Sequence, residues 1–246
     1  MTSNLAWKKF IYRVFDFSFG RLSRLFQRSL RNRAPYSVLE IVAQNAIQES
    51  ADYAIKNFGE AMMFDNRSEL WGYCVASIPE LNSLGGGIIA EFGVHKGQSI
   101  NFFAKKCPNA RVFGFDSFEG LEENWYGFRT IQGAFNTYGK MPKVESNVKL
   151  IKGWFEDTLP KFIQGLKQEQ ISILHMDADT FKPTKYVLNA LHKNLRSRSI
   201  VIFDEYFGYP NWVLHEMKAF HEFVNTFSVK YRFIGYSNNQ VAVEIL

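Results

Sequence analysis

The 246-residue sequence predicts an α/β domain in three layers, with helices ahead of it and a mostly parallel sheet of seven strands that ends in an antiparallel C-terminal strand. Three observations predict it. The first is the stretch Ile88–Gly97, IIAEFGVHKG, where a short apolar run ends in Glu91, passes two glycines and opens the helical pattern Gln98–Ala104. The second is a series of further short apolar runs, each ending at the carboxyl side in an acid or a turn and each followed by more chain of helical or loop character. The third is an alternating pair, Tyr231–Tyr236 and Gln240–Ile245, around Ser237-Asn238-Asn239, which reads as a hairpin.

Composition bounds the rest. Hydrophobic residues make up 46% of the chain, enough for a full core. Cys74 and Cys107 give neither a disulfide framework nor zinc spacing, which fits a reducing compartment. No apolar run is long enough to span a bilayer and no secretory signal is evident, so the expected location is the cytoplasm, with or without membrane association. Charge is uneven: residues 1–34 hold Lys8, Lys9, Arg13, Arg21, Arg24, Arg28, Arg31 and Arg33 against Asp16 alone. Their net +7 exceeds the +5 of the whole chain. The rest of the chain is therefore net acidic, which argues against nucleic acid as a partner.

In chain order, residues 1–35 form a basic amphipathic arm. Trp7, Phe10, Ile11 and Val14, then Phe15, Phe19, Leu22, Phe26 and Leu30, recur at helical spacing, with arginines on the other side. Such an arm suits packing on the domain or on a second subunit, an anionic membrane surface, or targeting. Residues 36–84 read as a helical cover: Ser37 caps a helix through Val38, Leu39, Ile41 and Val42, and a second helix runs from Glu69 to Ile78 before Pro79. Met62, Met63 and Phe64 are packing residues or part of a lid. Residues 85–246 form the α/β domain.

Within that domain, glycine lets the backbone approach a ligand closely, and the following helix N-terminus turns free N–H groups into the same crevice. Arg111–Asp116 is a buried strand ending in an acid about 20 residues past the loop's first glycine, where ribose hydroxyls are bound in nucleotide-binding domains. Residues 126–147, rich in glycine, asparagine and aromatics, form a long loop expected to face substrate. Val148–Lys152 and Ile171–Met176 are the third and fourth strands. Pro183 stands where the first residue of a helix is expected. Ser199–Phe203 is the fifth strand, and a helix follows from Trp212 to Phe227. Asp177 and Asp179 follow the fourth strand, and Asp204 and Glu205 the fifth. All four are expected outside the carboxyl ends of the strands, where open α/β sheets bind ligands. Carboxylates crowded there need a proton or a cation, and hard oxygen donors suit Mg²⁺. Trp154 and Phe155 can flank an aromatic base or pack the core. His95 can touch a cofactor, and His175 can face the site or sit satisfied in the core.

The E-x-G-x-x-x-G spacing differs from the dinucleotide pattern G-x-G-x-x-G and resembles the first motif of class I S-adenosylmethionine-dependent methyltransferases. Five segments, AEFGVHKGQS, FGFDSFEGL, KGWFEDTLP, LHMDADTFKPT and VIFDEYFGYPNW, resemble in order those of the TylF/MycF, macrocin-type sugar O-methyltransferases, and this likeness runs over about two thirds of the chain. The resemblance implies a Rossmann-like methyltransferase fold and Mg²⁺-assisted O-methylation of a sugar or glycosylated small molecule. It implies that Glu91, Gly93, Val94, Gly97, Ser99, Asp116, Ser117, Trp154, Phe155 and Asp177 hold S-adenosylmethionine. It also implies that Asp177, Asp204 and Glu205 hold the metal, with Asp177 as general base, and it admits a homo-oligomer. The family usually has Asp-Asp where this chain has Asp204-Glu205. The alternative is a non-catalytic module with the same fold at a membrane surface or in an assembly. A nicotinamide oxidoreductase is disfavoured by the loop spacing and the terminal hairpin.

Overall fold

The computed structural model describes residues 37–128 and 130–246, so the arm expected in residues 1–35 lies outside the described residues. The chain divides into two units, Met1–Val42 and Ala43–Leu246. Of the first, the described part is the opening of helix α1 (Val38–Asn57). There Ser37 Oγ accepts the Glu40 N–H, and the Glu40 carboxylate accepts the Ser37 N–H, both at 3.2 Å. This reciprocal cap satisfies donors that the first turn leaves free.

The second unit is an eight-stranded sheet sandwiched by helices. After α1 come β1 (Met62–Met63), α2 (Arg67–Ala76), β2 (Ile88–Phe92), α3 (Gln98–Lys106), β3 (Arg111–Asp116) and β4 (Val148–Lys152). Then follow α4 (Phe155–Leu166), β5 (Ile171–Met176), α5 (Phe181–Ala190), β6 (Ile200–Phe203), α6 (Glu216–Phe227), β7 (Tyr231–Ser237) and β8 (Gln240–Ile245). The strand order is β1-β7-β8-β6-β5-β2-β3-β4. Only β8 runs antiparallel to its neighbours. The count is eight rather than seven because Met62 and Met63 pair with Gly235 and Tyr236 at the sheet edge. Two residues carry no readable period, and the pairing that makes them a strand is tertiary.

Strand parity divides the core. Ile88, Ala90 and Phe92 pack with Leu174, Met176, Phe203, Leu188, Phe220 and Phe223 on one face. Ile89 joins Ile173, Ile202, Val112, Ile100, Phe103, Leu70 and Trp71 on the other. β2 is buried along its whole length, as a central parallel strand covered on both faces must be.

Two expected helix starts differ. Thr180 is the N-cap of α5 and Phe181 its first residue, so Pro183 stands at the third helical position. That place is also among the first-turn N–H groups without an intrahelical acceptor, so proline is tolerated there. The helix expected from Trp212 is a short 3₁₀ turn, Trp212–Leu214, separated from α6 at His215, whose backbone is not helical. The His215 Nε2–H donates to the Tyr126 carbonyl at 2.7 Å and ties this break to the long loop.

Candidate functional site

A cavity of about 220 Å³ opens outside the carboxyl ends of β2, β3, β5 and β6. This is where the strand order reverses direction around β2, the place where open α/β sheets leave a crevice. Of the residues expected at a site, Gly93, His95, Asp116, Ser117, Trp154, Phe155, Asp177, Asp179 and Glu205 all border it.

The glycine turn is shaped by close main-chain contacts. Gly93 has φ +94°, and a Cβ there would lie 1.8 Å from the Asp177 carbonyl oxygen. Its N–H donates to Phe115 O at 2.9 Å, and the Asp177 N–H donates to Phe92 O at 2.9 Å. One glycine thus lets the ends of β2, β3 and β5 converge. Gly97, at φ +77°, precedes α3, and a Cβ there would crowd Pro142 at 3.1 Å. The loop that covers it is fastened to α3: Asn101 donates to the Lys143 carbonyl at 3.0 Å and accepts from the Glu145 N–H at 2.9 Å.

Asp116 is the hub of the turn. Its Oδ2 accepts the N–H groups of Val94 at 2.8 Å and His95 at 2.7 Å, and its Oδ1 accepts that of Phe118 at 2.6 Å. The carboxylate therefore both edges the cavity and fixes the loop. Ser117 Oγ accepts the Glu119 N–H at 3.1 Å. Trp154 and Phe155 form one wall, with Phe155 edge-on to Phe92 at 5.2 Å. His95, at φ +46°, sits edge-on to Phe135 at 5.7 Å. Partial burial, and then the neighbouring Lys96, hold its pKa below the usual imidazole value.

Glu91, Val94, Gly97 and Ser99 do not border the cavity. Parity sends the Glu91 side chain to the α2/α3 face, where it is fully buried and meets His175 Nδ1 at 3.0 Å. His175 lies among Trp71 and Phe103, and its Nε2 stands 3.4 Å from Asp204 Oδ1. Burial alone would lower the His175 pKa, but the carboxylates of Asp204 and Glu91 outweigh it and raise the pKa to about 10. For Asp204, burial acts upward, yet His175 holds the carboxyl below its usual range. His175 and Asp204 shift in the directions of an ion pair, whereas burial raises the pKa of Glu91 on the other ring nitrogen.

The acids facing the cavity behave oppositely. One oxygen from each of Asp177, Asp179 and Glu205 lies within 4.8 Å of the others. Burial, then the Asp204 charge, pushes Asp179 up to about 8. The same causes, in the same order, push Asp177 and Glu205 well above the ordinary carboxylate range. Asp204 Oδ1 takes the Gln240 amide N–H and faces His175, while Asp179, not expected among the metal ligands, supplies an oxygen beside those of Asp177 and Glu205. Asp179 reaches the cavity through a left-handed backbone, φ +61°, which sequence spacing does not announce. Glu205 Oε2 is buried without a partner among the described residues. A cluster that disfavours three negative charges, with an orphaned oxygen, fits a divalent cation held by hard oxygen donors.

Gly120, Leu121, Trp125, Phe135 and Thr180 also line the cavity, although the sequence reading named none of them as a site residue. Most come from the loop after β3, which folds back through Leu121 N–H to Ala134 O and Gly133 N–H to Leu121 O, both at 2.9 Å. The cavity wall therefore includes part of the long loop expected to face substrate, through Phe135.

A family described as methyltransferase domain matches residues 90–206. A 4'-O-methyltransferase from Streptomyces olivaceus, named for an 8-demethyl-8-(2,3-dimethoxy-alpha-L-rhamnosyl)-tetracenomycin-C, is 26% identical over 54% of this chain and 58% of its own length. The mycinamicin III 3''-O-methyltransferase of Micromonospora griseorubida is 31% identical over 31% of this chain and 28% of its own length. The matches thus span less than two thirds of either relative. The crystal structure of CalS11, a calicheamicin methyltransferase, superposes with a TM-score of 0.58 at 24% identity, covering 72% of this chain and 77% of that one, which supports the fold. Residues 90–206 thus match a methyltransferase-domain family, and over part of its length the chain is similar to the two sugar O-methyltransferases.

Proposed function

We propose that this protein is an S-adenosylmethionine-dependent O-methyltransferase whose acceptor is a hydroxyl of a sugar or glycosylated small molecule, assisted by a divalent cation such as Mg²⁺. The observation that carries the proposal is the convergence, in one cavity, of the Gly93 turn, Asp116, the Trp154–Phe155 wall and the Asp177–Asp179–Glu205 cluster. The names of the two curated relatives support a sugar hydroxyl as acceptor.

S-adenosylmethionine, when bound, supplies a methyl group on a cationic sulfur. The cavity is electrostatically suited to it: among the described lining residues are six carboxylates and neither lysine nor arginine. The Gly93 turn gives a ligand close approach to the backbone, Asp116 offers acceptor oxygens to ribose hydroxyls, and Trp154 and Phe155 flank the base. Asp177, partly open to the cavity, takes the proton from the acceptor oxygen as that oxygen bonds to carbon and the sulfur–carbon bond breaks. Asp177, Asp179 and Glu205 would hold the cation, which supplies a lowered acceptor pKa and a fixed orientation. The rest of the work is alignment of oxygen, carbon and sulfur in one line, which the rigid strand ends favour.

The test is calorimetric titration of S-adenosylhomocysteine into the purified full chain, with NAD as control. Micromolar binding of the first and none of the second is expected. A folded protein that binds neither would overturn the enzyme reading. For residues 1–34 the proposal is contact with an anionic membrane surface, supported by their charge and aromatic spacing. Among the described residues no helix is long and apolar enough to cross a membrane.

A further inference from the structure

Glu205 is held through its main chain from both sides. Its N–H donates to Glu216 Oε2 at 3.0 Å, and its carbonyl accepts the Tyr209 hydroxyl at 3.0 Å. Glu216 is completely buried and Tyr209 nearly so. A carboxylate in the first turn of a helix ordinarily serves that helix's own free N–H groups. Glu216 opens α6, yet it reaches back eleven residues to Glu205. Its other oxygen, Oε1, has no partner among the described residues. Burying such a group is costly, so its one directed bond carries the reason for its presence.

The direction of that bond points at the cavity. Fixing both peptide groups of residue 205 fixes the origin and aim of its side chain. Glutamate has one more rotatable bond than aspartate and so gains more from an anchored base. Tyr209 also packs on Trp125 at 5.7 Å and on Phe128 at 4.8 Å, in the loop that walls the cavity. The hydroxyl bond therefore joins that wall to the acid cluster.

We propose that Glu216 and Tyr209 are positioning residues that clamp the Glu205 backbone, so that the longer glutamate brings its carboxylate beside Asp177 and Asp179 to complete a divalent-cation site. This rests on the metal reading given above.

The experiment is Mn²⁺ binding to the full-length protein, followed by electron paramagnetic resonance, for wild type, Tyr209→Phe, Glu216→Ala, Glu216→Gln and Glu205→Ala. Unfolding temperature and S-adenosylhomocysteine affinity serve as folding controls. Tyr209→Phe removes one hydroxyl and should weaken Mn²⁺ binding about tenfold while homocysteine-ligand affinity stays at the wild-type value. In turnover, kcat should fall with KM for S-adenosylmethionine unchanged. Glu216→Gln keeps an acceptor oxygen and should recover most of the affinity lost in Glu216→Ala. Adding Tyr209→Phe to Glu205→Ala should weaken Mn²⁺ no further. Wild-type Mn²⁺ affinity in a folded Tyr209→Phe protein would overturn the clamp alone. So would an equal loss from Tyr209→Phe with and without Glu205. If Glu216→Ala does not fold, these Tyr209 comparisons still decide. Wild-type protein that takes up no Mn²⁺ would overturn the metal reading and the clamp together.

Discussion

At the scale of single residues, the site is governed by which carboxylates are paired and which are crowded. Asp116 accepts three backbone N–H bonds and is thereby a structural hinge-pin of the loop as well as a cavity edge. Asp116→Ala should destabilise the fold by about 2 kcal/mol, the usual worth of charge-assisted bonds, and weaken S-adenosylhomocysteine binding at least tenfold. Denaturant titration and calorimetry measure the two separately. Asp179 faces its neighbours in the crowded cluster, whereas Asp204 faces His175. Asp179→Asn should therefore weaken Mn²⁺ binding by about tenfold or more with little change in stability. Asp204→Asn should chiefly lower stability by leaving a buried imidazolium with less charge to face. Equal Mn²⁺ losses in both would refute the assignment. His175 carries a pH signature. Its folded pKa, about 10, lies above its ordinary 6.5, so its stabilisation is complete below pH 6.5 and lost as pH rises through 10. Unfolding free energy should fall across that window, and His175→Gln should flatten the fall.

At the scale of elements, the turn after β2 is set by one glycine. Gly93→Ala adds a Cβ against the Asp177 carbonyl in a left-handed backbone, so the ends of β2 and β5 must separate. The expected cost is at least about 2 kcal/mol, with loss of S-adenosylhomocysteine binding even at temperatures where the protein stays folded. A chemical denaturation curve and a calorimetric titration on the same sample check this. The elements also show where sequence reading succeeds. Val148–Lys152, Ile171–Met176 and the terminal hairpin are legible because each is a short apolar or alternating run between turn residues. Met62–Met63 is not legible, because pairing with β7 rather than a local pattern makes it a strand. The break at His215 is hidden for a similar reason, since a bond from its ring to Tyr126 accompanies a departure from helical geometry that composition does not signal.

At the scale of the whole molecule, charge is segregated. The basic residues of positions 1–34 stand apart in sequence from a domain whose cavity is acidic. Removing residues 1–34 should abolish co-sedimentation with anionic liposomes while leaving S-adenosylhomocysteine affinity unchanged. Undiminished sedimentation would exclude the arm as the membrane contact. The sequence by itself determined the parallel sheet with its antiparallel last strand, the glycine turn, and the arrival of Asp116, Asp177, Asp179, Asp204 and Glu205 at strand ends, because hydrophobic period and turn chemistry are local properties. Only the tertiary structure decided which way those acids face. Strand parity and packing sent Glu91 into the core to His175, and Gln240, opening the neighbouring strand β8, donates to Asp204 on the same side as His175. A left-handed backbone turned Asp179 inward, and Glu216 and Tyr209 closed on Glu205 from a later turn and helix. Side-chain direction at a strand end depends on partners far away in sequence, and those partners exist only once the chain has folded.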